Sequence, residues 1–169
     1  MDTYMETLKD VIAKESIKVL VIEPGKVPYV KDIESGLKSL QNEVAGWIEA
    51  IYPFEDPVAI ICNEEGKLNG LPLNRALIDD NSGEIYDIVA GTFLITGLTD
   101  DNFGSLNEEQ VKKFSKRFKH PEEFLRMGNH IIRIIQDVPK EKESIMEKLK
   151  SQPSILKKDL SVKKKEQER

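Results

Sequence analysis

The chain is poor in cysteine and has no long apolar run. Cys62 is the only cysteine among 169 residues, so one chain can form neither an internal disulfide nor a cysteine-based metal cluster. No apolar run approaches the roughly 20 residues that a membrane-spanning helix needs. The start, MDTYMETLKD, contains acidic residues and no apolar signal core. These absences favour a cytoplasmic protein.

Side chains for catalysis are also scarce. The two histidines, His120 and His130, are ten residues apart, and no H-E-x-x-H sequence is present. No G-x-G-x-x-G or G-x-x-x-x-G-K-[ST] sequence is present to hold phosphates. Cys62 follows Ile60–Ile61, which predicts a small buried core residue and not a nucleophile. We therefore expect no catalytic residue, no metal site and no cofactor.

The charge is divided unevenly along the chain. Residues 140–169 contain ten Lys or Arg and six Asp or Glu, whereas the rest has a net charge of about −9. An acidic body repels the phosphate backbone of nucleic acid. Nucleic acid is therefore disfavoured as a partner, except through the basic tail that includes Lys163–Lys165.

Apolar spacing predicts an α+β fold with a mixed or antiparallel sheet of about five strands. Ile17–Ile22 predicts a strand that the Pro24–Gly25 turn ends, and Ile33, Leu37 and Leu40 predict a helix beginning near Asp32. Strands are also expected over 45–54 and 58–63, and over 84–98 with a break near 90–91. Residues 68–78 are expected to form a loop with short ordered pieces, and 79–84 a turn.

The last third is predicted to be helical. The segment NEEQVKKFSKRF begins with the potential cap Asn107, and a further helix is expected to follow Pro121. The predicted organisation is an N-terminal helix (1–16), an α+β core domain (17–105), a C-terminal helical extension (106–150) and a flexible basic tail (151–169).

Two clusters of donors are candidates for binding an anionic ligand. Asn63, Asn74 and Arg75 lie in or beside the segment NEEGKLNGLPLNRALIDD, and the planar guanidinium of Arg can bind phosphate or carboxylate through two hydrogen bonds. Lys26 and Tyr29 follow a strand and precede the predicted helix start, where an anion would be stabilised. The structural alternative pairs Arg75 with an aspartate of its own chain: Asp79, Asp80 or Asp87.

Trp47 and Tyr52 are five residues apart in the second predicted strand. Residues at an odd separation on a regular strand face opposite sides of the sheet. One aromatic side chain is therefore predicted to be core, and the other to be exposed for stacking or for a subunit contact.

Five segments occur in order within about residues 17–98: the EPGK turn, the SLQ helix ending, YPFEDPVAIICNEEGK, LPLNRAL and YDIVAGTF. Through these segments the chain resembles a small domain family encoded by phages and conjugative or integrative elements of Gram-positive bacteria. The function of the family is unknown, so the resemblance implies no catalytic residue. It implies the cytoplasm of a bacterial host and an accessory role on a mobile element, such as counter-defence.

Three functions are consistent with these features. The favoured hypothesis is a non-enzymatic counter-defence protein that sequesters a small anionic ligand, such as a nucleotide immune signal. The alternative is an acidic inhibitor of a host nuclease or restriction enzyme. A metal-dependent phosphodiesterase using Asp79, Asp80 and Glu84 is the least favoured. A homo-oligomer is a further option, because a sheet with an exposed edge often pairs with another copy.

Overall fold

The computed structural model describes residues 15–138. Residues 1–14 of the predicted N-terminal helix, residues 139–150 of the predicted helical extension and the predicted tail (151–169) lie outside the described residues. The chain divides after Gln136 into two units. Of the second unit, the structure describes only Asp137 and Val138, so the fold below is that of the first.

The described chain contains ten strands and two helices. In chain order they are β1 (Ser16–Ile22), β2 (Tyr29–Glu34), α1 (Leu37–Val44), β3 (Ile48–Ile51), β4 (Val58–Asn63), β5 (Leu73–Ile78), β6 (Ile85–Ala90), β7 (Phe93–Leu98), β8 (Phe103–Gly104), α2 (Glu108–Arg117), β9 (Glu122–Met127) and β10 (His130–Ile135). This content is compatible with the predicted α+β class.

Six strands form an antiparallel sheet in the order β2-β1-β7-β4-β3, with β8 paired to β7. Helix α1 covers one face through Leu40 and Val44. Helix α2 and the β5–β6 hairpin cover the other face. Every residue of β4 is buried, because both faces of the sheet are covered, and its sequence is accordingly an unbroken apolar run up to Asn63.

The strands predicted from Ile17–Ile22, 45–54, 58–63 and 84–98 are confirmed. The helix predicted from Asp32 is wrong in its start, because Tyr29–Glu34 is strand β2 and pairs with β1. Ile33 is buried opposite Ile17 in that pairing. Gly36, with a φ of 118°, then separates the strand from a helix that begins at Leu37.

Two further segments differ from prediction. Within 68–78, Leu73–Ile78 is strand β5 and not a loop, because it pairs with β6 across the 79–84 turn. The helix predicted after Pro121 is wrong, since β9 and β10 form an antiparallel hairpin there. The predicted sheet of about five strands corresponds to the six-stranded antiparallel sheet, and the β5–β6 and β9–β10 hairpins are additional to it.

Helix α2 completes the hydrophobic core on the face of the sheet opposite α1. Its predicted cap is confirmed, since Asn107 and Gln110 form a capping box. Phe114 and Phe118 are buried among sheet residues, and Leu106 lies in the same cluster. The predicted extension after residue 105 therefore begins with residues that complete the core. Within residues 15–138, neither helix is long and apolar enough to cross a membrane.

Candidate functional site

Asn74 and Arg75 are both fully buried in strand β5. The Asn74 amide nitrogen donates to the carbonyl oxygens of Ile22 at 2.8 Å and Gly91 at 2.9 Å. Its amide oxygen accepts a hydrogen bond from Nη1 of Arg75 at 2.8 Å. The Asn74 side chain thus joins β1, β5 and the turn before β7.

All three guanidinium nitrogens of Arg75 donate within the chain. Nε and Nη2 donate to the Phe118 carbonyl at 3.1 and 3.0 Å, and Nη2 also donates to the Lys26 carbonyl at 2.7 Å. Burial lowers the pKa of Arg75, because the charged form loses hydration, whereas the nearby carboxylate of Glu122 favours that form.

The alternative prediction, that Arg75 pairs with a neighbouring aspartate, is wrong. Asp80 pairs with Arg117 at 3.1 Å, and Asp87 pairs with Lys67. Arg75 instead satisfies carbonyl groups at the end of α2 and in the turn after β1. It therefore links segments that are distant in sequence, and its side chain is closed to solvent.

Glu122 extends the same buried network. Its Oε1 accepts hydrogen bonds from the Ala76 amide at 3.1 Å and from Nε of Arg133 at 2.6 Å. These bonds attach the β9–β10 hairpin to β5. Since the network satisfies buried polar groups with partners from the same chain, its geometry is that of an internal support.

Asn63, the third predicted ligand residue of this segment, has a structural role different from that of Arg75. Its amide nitrogen donates to the carbonyls of Val44 at 3.0 Å and Ala45 at 3.3 Å, and its oxygen accepts from the Glu65 amide. Ala45 is the left-handed C-cap of α1. Asn63 therefore satisfies the end of that helix.

Lys26 and Tyr29 are accessible, but they lie beside an acidic residue. The Lys26 side chain is 67% exposed and its ammonium lies 3.5 Å from Glu23. The Tyr29 side chain is partly exposed, and its partial burial together with the carboxylate of Glu23 raises its pKa. The helix N-terminus predicted near these residues is replaced by β2, so it contributes no dipole for an anion.

The remaining polar candidates occupy turns and strand ends. Asp79 accepts hydrogen bonds from the amides of Asn81 and Ser82 within the 79–84 turn. His120 contacts the Gln136 carbonyl at 3.1 Å, and His130 is an exposed residue of strand β10. Among residues 15–138, no three His, Cys, Asp or Glu side chains form a group suited to a metal ion.

Cys62 is a core residue, as predicted. It is 7% exposed, and its thiol contacts the carbonyl of Glu49 with a sulfur–oxygen distance of 3.7 Å. Burial raises the pKa of the thiol to about 11, with Glu49 and Asp87 adding to the shift. The thiolate needed by a nucleophile is therefore suppressed at neutral pH.

Trp47 and Tyr52 flank β3, which is an edge strand of the six-stranded sheet. Trp47 is 66% exposed and Tyr52 is 60% exposed. The prediction that one of them is core is wrong, because both lie outside the four-residue strand whose side chains pack on the sheet. We call the edge of the sheet that bears the exposed side chains of Trp47, Glu49 and Tyr52 the β3 rim.

An open groove adjoins the β3 rim. It has a volume of about 450 Å³ and lies between β3 and β4 on one side and β6 on the other. Its polar lining includes three carboxylates and one ammonium, and its apolar wall includes the highly exposed Leu68. The lining acids are Glu49, Glu64 and Asp87, and the ammonium is that of Lys67.

The β3 rim was not among the sequence-predicted ligand residues. The sequence signal for this surface was a Trp and a Tyr at the two ends of a short predicted strand, followed by Pro53. The strand's position at the sheet edge depends on long-range pairing, which the sequence of 45–54 alone does not specify.

Comparison with known proteins gives a family without an assigned activity. No curated protein and no solved structure matches the chain. The family described as "Domain of unknown function (DUF3846)" matches residues 17–119, a range that contains the sheet, both helices and the Asn74–Arg75 network. The chain therefore belongs to this family of unknown function.

Proposed function

We propose that the chain is a non-enzymatic inhibitor that docks its β3 rim on a basic surface of a host protein. The observation that supports this most is the exposure of Trp47 and Tyr52 at the two ends of one edge strand. Trp and Tyr are enriched among residues that dominate protein–protein binding energy, since they bury large areas with few rotatable bonds.

The charge of the molecule favours a basic partner. Residues 15–138 contain 13 Lys or Arg and 21 Asp or Glu. Beside the rim, Glu49, Glu64 and Asp87 line the groove. Such a surface attracts a protein whose own surface is basic, as the surfaces of nucleases and restriction enzymes are where they hold DNA.

The biological setting is part of the proposal. The resemblance to proteins of phages and conjugative or integrative elements suggests an accessory counter-defence role in the cytoplasm of a bacterial host. A host nuclease or restriction enzyme is then the natural target, because it is the enzyme that attacks incoming DNA.

Sequestration of a small anionic ligand, such as a nucleotide immune signal, becomes the second hypothesis. Asn74 and Arg75 were its main support, and they donate to groups of their own chain while fully buried. Lys26 and Tyr29 remain accessible, with Glu23 opposing an anion there. The geometry therefore favours a macromolecular partner.

The proposal is tested by adding the purified chain to a panel of restriction endonucleases that cleave plasmid DNA. We expect inhibition of at least one enzyme, at least tenfold weaker for Trp47→Ala and for Tyr52→Ala. Tyr86→Ala is the matched control, because Tyr86 is 56% exposed on β6 and outside the rim, and it should inhibit normally. Inhibition should also weaken as salt is added.

Two outcomes would overturn the proposal. One is inhibition that is equally strong in Trp47→Ala, Tyr52→Ala and Tyr86→Ala. The other is an absence of inhibition across the panel together with a thermal shift on adding cyclic dinucleotides or ADP-ribose. The latter result would restore the small-ligand hypothesis, because only a ligand that binds the folded state raises the melting temperature.

A further inference from the structure

The β9–β10 hairpin has an apolar face that the described structure leaves uncovered. In its register, Leu125 pairs with Ile132, Met127 with His130 and Glu123 with Ile134. Cross-strand partners share a face, so these six residues lie on one side of the hairpin. Its four apolar members are between 37% and 59% exposed: Leu125, Met127, Ile132 and Ile134.

The opposite face attaches the hairpin to the domain. Glu122 is buried against the Ala76 amide and pairs with Arg133, while Phe124 beside them is half-buried. Ile131 and Ile135 also belong to this second face and are 46% and 51% exposed, so the outward face carries four of the six exposed apolar residues of the hairpin. The hairpin also lies beyond the family match, which ends at residue 119.

A two-stranded hairpin with an exposed apolar face is poorly stable in water without a covering partner. The order of side chains along this face is self-complementary. Glu123 and Ile134 form the row nearest the domain, Leu125 and Ile132 form the middle row, and Met127 and His130 form the row at the tip. A carboxylate therefore lies at one end of the face and an imidazole, which can donate a hydrogen bond to it, at the other.

We propose that two copies of the chain dimerise by packing these hairpin faces together about a two-fold axis. The axis passes through the Leu125–Ile132 row, so the two middle rows meet at the centre. Glu123 of each copy then faces His130 of the other copy, and each contact occurs twice, as a two-fold interface requires. The dimer uses a surface other than the β3 rim, so it does not depend on the proposed inhibition.

Because the domain is acidic, salt should affect the binding of a second copy and the binding of a basic protein in opposite directions. Both copies have the same acidic surface, with 21 acidic and 13 basic residues in 15–138, so their bodies repel each other. Salt screens that repulsion and also strengthens apolar burial when it is a sulfate salt. Dimerisation through the apolar face should therefore strengthen with salt, whereas docking of a basic protein on the same face would weaken.

Sedimentation velocity of the full chain, measured over a range of concentrations, tests the proposal. We expect a monomer–dimer equilibrium whose dissociation constant rises at least tenfold in Leu125→Glu. Leu37→Glu is the matched control, because Leu37 is 55% exposed on α1 and Leu125 is 51% exposed. The control should dimerise as the unsubstituted chain does, and thermal melts should show that both variants are folded.

A charge exchange tests the orientation without altering the apolar rows. His130→Glu should weaken the dimer, because two carboxylates then face each other. Adding Glu123→Lys to it should restore dimerisation, since a carboxylate then faces an ammonium group. The proposal is overturned if the unsubstituted chain is monomeric at every concentration and salt, if Leu37→Glu disrupts the dimer as strongly as Leu125→Glu, or if the double variant fails to recover.

Discussion

Arg75 donates from Nη1 to the side-chain oxygen of its immediate neighbour, Asn74, at 2.8 Å. Adjacent residues on a regular strand point to opposite faces. Here the register is irregular, since Leu73 pairs with Ala90 whereas Arg75 pairs with Val89. The extra residue is a β-bulge at Asn74, which re-aims the side chains so that both enter the interior.

Replacing Arg75 is expected to lower the free energy of unfolding substantially. Arg75→Met leaves the Phe118 and Lys26 carbonyls and the Asn74 side-chain oxygen without this donor. Each buried group left unsatisfied costs about 1–3 kcal/mol, so a loss of at least about 3 kcal/mol is expected in urea unfolding. Lys112→Met, at an exposed position of α2, should cost less than about 0.5 kcal/mol.

A different result would show that Arg75 has another role. If Arg75→Met unfolded with the midpoint of the unsubstituted chain, the guanidinium would not be a structural support. A gain in stability with loss of a bound anion would point to the same conclusion, since functional sites often store unfavourable energy.

Much of the sheet is predictable from sequence, because its strands are short apolar runs bounded by turn residues. Ile17–Ile22 and 58–63 are examples. The β9–β10 hairpin was missed, although Gly128–Asn129 separates its strands and a Gly-Asn pair between β-prone runs is a hairpin signal. Its apolar residues occupy both faces, so neither strand shows the alternation of a half-buried strand.

The role of Arg75 could not be predicted from its neighbours. Apart from Asn74, its partners are carbonyl groups of residues 26 and 118, and backbone carbonyls have no signature in the sequence. The neighbouring sequence offers aspartates as charged partners for Arg75, because a carboxylate is evident from the residue type. The fold instead brings a turn and a helix end to the guanidinium, which only long-range packing specifies.

Cys62 should be unreactive in the folded chain. Its thiol is buried with a pKa of about 11, so iodoacetamide at pH 8 should modify it only after unfolding. Because the folded pKa lies above the unfolded value, its contribution to stability is fully present below about pH 8.5 and is lost as pH rises through 11. Rapid alkylation of the native chain, followed by mass spectrometry, would contradict this account.

The Asp56–Lys113 ion pair should make a small, pH-dependent contribution to stability. The ammonium of Lys113 lies 2.7 Å from Asp56 and holds the pKa of that carboxyl below its ordinary value. The contribution is present above the unfolded pKa, about 3.9, and is lost as pH falls through the lower folded pKa.

Asp56→Asn is the variant that checks this pair. At pH 7 it should cost at most about 1 kcal/mol, because the pair is partly exposed to solvent. The difference from the unsubstituted chain should vanish in strong acid. Asp100→Asn, in the exposed turn after β7, is the matched control and should change the free energy of unfolding at pH 7 by less than about 0.5 kcal/mol. A difference for Asp56→Asn that persisted unchanged below the folded pKa would exclude the ion pair as its cause.

Fluorine NMR of the chain labelled with fluorotryptophan tests the proposed β3 rim most directly, because Trp47 is the only tryptophan and gives one signal. When an inhibited restriction endonuclease is added, the account predicts that this signal shifts or broadens, in Tyr86→Ala as in the unsubstituted chain. Cyclic dinucleotides and ADP-ribose should leave the signal in place. An unchanged signal in the inhibited complex would contradict docking through the β3 rim.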